Sequence, residues 1–136
     1  MDKPKEIAAT AKRILVIDDQ HLIRDLLTQL LEAEGHHVMV AASGREGLVV
    51  ARVLPFNLIL LDVDMPGLNG LEVCTELKRG AETAHVPVIF ISGRRSTPEI
   101  QQMTAVGAAG FLPKPFLFEQ VRRTVNRILE ATGAQP

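Results

Sequence analysis

Asp18 and Asp19, Asp62 and Asp64, Ser92 and Lys114 share one feature: each follows closely on a short apolar run. Carboxylates gathered in one place repel one another, and without partners they raise each other's pKa. A hard cation relieves that repulsion. An all-oxygen set with room for water suits Mg²⁺ better than zinc, since no histidine stands beside these motifs and Cys74, the single cysteine, falls in a helical stretch. Lys114 supplies a fixed positive charge of the kind that meets a phosphoryl oxygen, and Ser92 supplies a neutral donor. Metal, ammonium and hydroxyl around a carboxylate make a pocket complementary to a transferring phosphoryl group, with the carboxylate as nucleophile.

These residues converge only if the chain between them folds to bring them together. Apolar runs at residues 14–17, 38–41, 58–61, 88–91 and, briefly, 111–112 alternate with longer amphipathic stretches. Continuous apolar runs of this length fit strands of a parallel sheet covered on both faces. The stretches between them read as helices. Leu22, Leu26, Leu27, Leu30 and Leu31 form a stripe closed by Gly35, and Leu48, Val49, Arg52 and Val53 form a second ending before Pro55. Residues 71–78 stop at Gly80, residues 99–106 stop at Gly107, and Leu117, Val121, Val125, Ile128 and Leu129 mark the last helix. Strands alternating with helices predict right-handed βαβ crossovers and an α/β, doubly wound, five-stranded parallel sheet. In such sheets ligands bind beyond the carboxyl ends of the strands, where the strand order reverses. That is the edge on which the six residues fall.

Composition narrows the setting. At 136 residues, 46% hydrophobic and 23% charged, the chain suits one soluble domain able to bury its own core. Residues 11–131 are read as that domain, with tails at 1–10 and 132–136. A net charge of −1 gives no general attraction to nucleic acid or acidic membranes, and no apolar run is long enough to span a bilayer. One cysteine excludes an internal disulfide, and a reducing cytoplasm is the expected location. No helix-turn-helix pattern or basic stripe is present, so direct DNA binding is not expected and output must pass through a protein partner or a domain outside this chain.

Four segments then carry a resemblance. Ile14-Leu15-Val16-Ile17-Asp18-Asp19, Leu58-Ile59-Leu60-Leu61-Asp62-Val63-Asp64-Met65-Pro66-Gly67, Val88-Ile89-Phe90-Ile91-Ser92-Gly93 and Lys114-Pro115-Phe116 resemble, in order and spacing, the signatures of response-regulator receiver domains, over residues 12 to 131. The resemblance implies a flavodoxin-like sheet of strand order 2-1-3-4-5 with five helices. It implies a two-component phosphoprotein: Asp62 accepts a phosphoryl group from a histidine kinase or histidine phosphotransfer protein, with Mg²⁺ beside it. Asp19 would be a direct Mg²⁺ ligand along with Asp62, Asp18 would act mostly through water, and the backbone carbonyl of Asp64 would complete the protein ligands. Lys114 would hold the phosphoryl group and Ser92 hydrogen-bond it. Phe111 falls on the family's switch-aromatic position, with a downstream partner reading the face of the fourth helix, fifth strand and fifth helix. The Lys114–Pro115 bond is expected to be cis. No enzyme activity beyond intrinsic autophosphorylation and autodephosphorylation is implied.

Plainer readings stand beside each residue. Asp18 and Asp19 could cap the helix that begins near Gln20. The segment from Asp62 to Gly70 could be a turn, Ser92–Gly93 likewise, Lys114 a solvated loop lysine and Phe111 core filler. The four histidines, His21, His36, His37 and His85, read as surface residues, and Cys74 as a small buried hydrophobe. Among rival functions, a haloacid-dehalogenase-like phosphatase shares an Asp-x-Asp motif. It places that motif on its first strand, however, whereas here an acidic pair precedes it. A pseudo-receiver scaffold that is never phosphorylated is a second alternative. A nucleotide- or flavin-binding relative is disfavoured because Asp18-Asp19-Gln20-His21 lacks glycine and carries the wrong charge. Four departures from the common receiver pattern matter, among them Ser92 where threonine is more frequent and Phe111, whose ring cannot make a hydroxyl hydrogen bond. Asp64 and Arg94 could form a charged pair gating the mouth of the site, and Ala109–Gly110 lack the acidic pair carried by many DNA-binding regulators.

Overall fold

The computed structural model describes residues 11–93 and 96–133. Its elements run β1 (Arg13–Ile17), α1 (His21–Ala33), β2 (His37–Ala41), α2 (Gly44–Val53), β3 (Leu58–Asp62), α3 (Gly70–Arg79), β4 (Val88–Ser92), α4 (Thr97–Ala105), β5 (Gly110–Pro113) and α5 (Phe118–Gly133). The five strands pair in parallel in the order β2-β1-β3-β4-β5, the doubly wound topology expected. α5 continues through Thr132 and Gly133, two residues into the segment read as a tail. The Thr132 hydroxyl extends the last turn by donating to the Ile128 carbonyl at 3.1 Å.

Strand alternation divides the core into two layers. Leu15, Ile17, Ile59, Leu61, Val88 and Phe90 point to the side covered by α2, α3 and α4. Ile14, Val16, Leu58, Leu60, Ile89 and Ile91 point to the side covered by α1 and α5. β1, β3 and β4 are thus covered on both faces, which is why they read as unbroken apolar runs. β2 departs from that expectation. It lies at the sheet edge, where coverage is incomplete, and Met39 and Val40 remain exposed.

Three helical stripes also differ from the sequence reading. In α2 the buried face is Gly44, Gly47, Leu48 and Ala51, while Val49 and Val53 face solvent. Small residues make this contact because the helix approaches the sheet closely: a Cβ on Gly47 would collide with the Ile17 side chain. Leu22 stands exposed at the start of α1, and Leu117 lies exposed just before α5. His36 is not a surface residue either. It is half-buried, and its Nδ1 accepts from the Lys12 backbone N–H at 3.2 Å. Burial holds its pKa below the ordinary histidine value.

Candidate functional site

Register places the functional residues side by side. Ile17 pairs with Leu61, Asp62 with Ile91, and Ser92 with Pro113, so the carboxyl ends of the inner strands finish at one level. Backbone bonds extend the ladder past the strand ends: Asp18 N–H donates to the Ala41 carbonyl at 3.1 Å, Val63 N–H to Ile91 at 3.1 Å, and Lys114 N–H to Ser92 at 2.9 Å. Asp18, Asp62, Ser92 and Lys114 are therefore held in or directly beside the strand ladder.

Asp62 ends β3 at 2% exposure and Asp18 follows β1 fully buried, whereas Asp19, next in sequence, is exposed. One oxygen from each of these three carboxylates lies within 4.8 Å of the others. The Lys114 ammonium sits 3.2 Å from Asp18 Oδ2 and 3.3 Å from Asp62 Oδ2. Asp62 Oδ1 accepts from the Asp64 N–H at 3.2 Å. Desolvation pushes the Asp62 carboxyl up to about 6, the Asp18 charge adds to the rise, and Lys114 and the Asp64 N–H oppose it. The rise is first a consequence of burial and second of crowding with Asp18.

Helix capping does not explain the aspartates. α1 has Gln20 at its N-cap and no side-chain capping bond. Asp18 Oδ1 instead accepts from the Gln20 N–H at 2.8 Å, two residues on. Its Oδ2 has no aligned hydrogen-bond donor among the described residues, although the Lys114 ammonium is close. A buried carboxylate oxygen without a donor, an elevated Asp62 pKa and an all-oxygen donor set fit a small divalent cation of the Mg²⁺ type. Asp18, Asp19 and Asp62 are the side chains able to hold it.

The remaining expectations divide. Ser92 is buried at the end of β4, one strand over from Asp62. Phe111, on β5, is 37% exposed and belongs to neither core layer, so it is not core filler in this conformation. Lys114 is no solvated loop lysine, and the Lys114–Pro115 peptide is cis, as expected. Asp64 is exposed beside the site, while the proposed gating partner Arg94 lies outside the described residues. The segment after Asp62 is a turn as well as a functional loop. Asn69 and Glu72 form a capping box that starts α3, and Gly70 N–H donates to the Val63 carbonyl at 2.9 Å.

Two residues escaped the sequence reading. Gly70 packs against the backbone that carries Asp62; a Cβ there would collide with the Asp62 carbonyl oxygen. Gln20 accepts a hydrogen bond from Lys114 Nζ at 3.0 Å, joining the start of α1 to the loop after β5. In sequence Gly70 reads only as a turn former, not as the close approach it makes to Asp62. Glutamine after an acidic pair is not a signal at all.

A doubly wound parallel sheet with an acidic cluster and a lysine at its carboxyl edge places the chain among flavodoxin-like α/β domains with a polar site at the strand ends. Comparison with known proteins resolves which. The family model described as the response regulator receiver domain matches residues 14–126, and the chain belongs to that family. Protein PilH of Pseudomonas aeruginosa is 35% identical over 117 residues, covering 86% of this chain and 97% of PilH. The response regulator MprA of Mycolicibacterium vanbaalenii is 36% identical over 121 residues, covering 88% of this chain but 51% of that protein. The chain thus spans nearly all of one relative and about half of another. Among solved structures, the chemotaxis response regulator CheY4 of Vibrio cholerae superposes with a TM-score of 0.82 at 33% identity, covering 85% of this chain and 97% of that one. A CheY-like receiver domain protein from Methanospirillum hungatei gives 0.86 at 28% identity, covering 93% and 99%. The phosphatase reading is not favoured.

Proposed function

We propose that this receiver domain accepts a phosphoryl group on Asp62 from a histidine kinase or histidine phosphotransfer protein, with Mg²⁺ held by Asp18, Asp19 and Asp62. One observation carries the reading: a buried carboxylate at the end of the central strand, raised to about 6, beside one ammonium and two further aspartates. An Asp62 carboxylate oxygen attacks phosphorus, and the bond from phosphorus to the donor's imidazole nitrogen breaks. The imidazole leaves with the electron pair and takes a proton from solvent. Bound Mg²⁺ would offset the charge that builds on the phosphoryl oxygens and, with the Asp64 backbone carbonyl, complete the oxygen set. Lys114 then moves its ammonium from the aspartates toward the new phosphoryl oxygens, and the Ser92 hydroxyl donates to them.

The donor must reach a recessed carboxylate. Leu22, Leu117 and Phe118 are large exposed apolar side chains on the two segments that the Gln20–Lys114 bond ties together, and they supply a seat for it. Signal leaves through the α4–β5–α5 face. There Phe111 is partly exposed, and Arg123 and Arg127 add positive charge for a downstream protein. We read the domain as a phosphoprotein without enzymatic turnover of its own beyond gaining and losing the phosphoryl group. We place it in the cytoplasm, consistent with one buried free thiol, Cys74, and with no helix among the described residues long and apolar enough to cross a membrane.

Incubation with acetyl phosphate and Mg²⁺ tests the proposal. The protein should gain the mass of one phosphoryl group, and neither Asp62→Asn nor a chelated sample should. Equal uptake by Asp62→Asn would move the acceptor elsewhere, and no uptake by the wild type would favour the pseudo-receiver alternative.

A further inference from the structure

Gln20 occupies the N-cap position of α1 in extended backbone, with φ −91° and ψ 117°, yet its side chain caps nothing. Serine, threonine, asparagine and aspartate are the residues that satisfy a helix's first N–H groups. The glutamine side chain instead reaches across to the loop after β5, 94 residues away in sequence, and accepts from Lys114 Nζ at 3.0 Å. Among the described residues it is the shortest of the ammonium's three oxygen contacts, the others being Asp18 Oδ2 at 3.2 Å and Asp62 Oδ2 at 3.3 Å. The Asp18 oxygen has no aligned donor, so its attraction to the ammonium is one of charge and not of a formed hydrogen bond.

The two aspartates carry charge and belong to the cluster able to hold a cation, whereas Gln20 offers a neutral oxygen already engaged with the ammonium. A divalent cation drawn to Asp18 and Asp62 competes with the ammonium for their charge and repels it. A neutral amide oxygen draws the cation far less than a carboxylate does and stays available to the ammonium. We propose that Gln20 is a positioning residue: it keeps the Lys114 ammonium beside Asp62 while the carboxylates turn to the metal. The inference rests on the phosphoryl-acceptor reading above. A neutral acceptor also suits the next step. Its bond to the ammonium is weaker than an ion pair with a carboxylate, so Lys114 can transfer to phosphoryl oxygens once they arrive. A carboxylate at the same position would hold the lysine back.

Gln20→Ser and Gln20→Met in the full chain separate positioning from a structural role. Serine is a preferred cap and too short to reach Lys114; methionine keeps the length and loses the acceptor. Both should slow phosphorylation by acetyl phosphate and Mg²⁺ about three- to tenfold, the worth of one typical net hydrogen bond. The thermal midpoint of Gln20→Ser should not fall. In a Lys114→Ala background, Gln20→Met should add no further loss. Wild-type rates in both variants, or an equal loss in the Lys114→Ala background, would overturn the proposal. A second readout needs no phosphoryl transfer: the Lys114 ammonium resonance in a ¹H–¹⁵N correlation, recorded with and without Mg²⁺. Gln20→Met should shift or broaden it when Mg²⁺ is added, beyond any change in the wild type. If the wild type takes up no phosphoryl group, the acceptor reading fails, and this resonance decides the positioning separately. A signal indifferent to Gln20→Met refutes it.

Discussion

Asp62→Asn should make the protein more stable at neutral pH in the absence of divalent cations. In the folded state the carboxyl is raised from 3.8 to about 6, mainly by desolvation and next by the Asp18 charge. An acid whose folded pKa lies above its unfolded value binds more protons when folded than when unfolded, between those two pKa values. Its contribution to stability is therefore greatest below pH ~4 and falls as pH rises through about 6, after which the loss is constant. A rise from 3.8 to about 6 corresponds to about 3 kcal/mol as an upper bound, and relaxation around the site reduces the measurable value to about 1–3 kcal/mol. Asparagine removes the charge and can keep the acceptor that Oδ1 presents to the Asp64 N–H. In urea or thermal unfolding at pH 7 with a chelator present, the variant should gain several degrees in midpoint. Near pH 4 the difference should shrink toward zero. Mg²⁺ should stabilise the wild type at pH 7 and leave the variant nearly unchanged, because ligand binding raises stability only where the site exists. A variant no more stable than wild type at pH 7 without cations would refute the charge-crowding argument for this site.

Three further outcomes are expected. Asp18→Asn should lower the Asp62 pKa from about 6 without restoring the ordinary value, since desolvation, the larger cause, remains; a carboxyl ¹³C titration without cations reads this, and an unmoved midpoint contradicts it. Gly70→Ala should destabilise the fold by about 1–3 kcal/mol through its clash with the Asp62 carbonyl, and should depress phosphorylation further than the lost stability explains. Phe111, 37% exposed in this structure, should turn inward when beryllofluoride and Mg²⁺ occupy the site; the same rotamer in structures with and without them would show that the signal leaves by another route.

The parts of this fold that were legible in sequence are those buried on both sides. β1, β3 and β4 announce themselves because their apolar residues are all buried on one face or the other, and the polar residues that follow them stand out against apolar neighbours. The same contrast exposed Asp18, Asp62, Ser92 and Lys114. Elements packed through small residues were harder to read. α2 buries Gly44, Gly47 and Ala51, which carry no periodic apolar signal, while its valines misled by facing solvent. The resemblance separated the adjacent aspartates by role, and the fold separates them by burial: Asp18 is fully buried and Asp19 exposed, with an oxygen of each in the same cluster. Gln20 was invisible because its role arises from a partner 94 residues away. No local pattern encodes that distance.

The location of the phosphoryl group is the most direct question to put to this protein. Wild-type protein phosphorylated with acetyl phosphate and Mg²⁺ can be reduced with borohydride, which converts an aspartyl phosphate to homoserine, and then sequenced by tandem mass spectrometry. Homoserine should appear at position 62 and at no other aspartate. Its appearance at Asp18, Asp19 or Asp64, or its absence from a sample that has gained phosphoryl mass, would contradict the assignment of Asp62 as the acceptor.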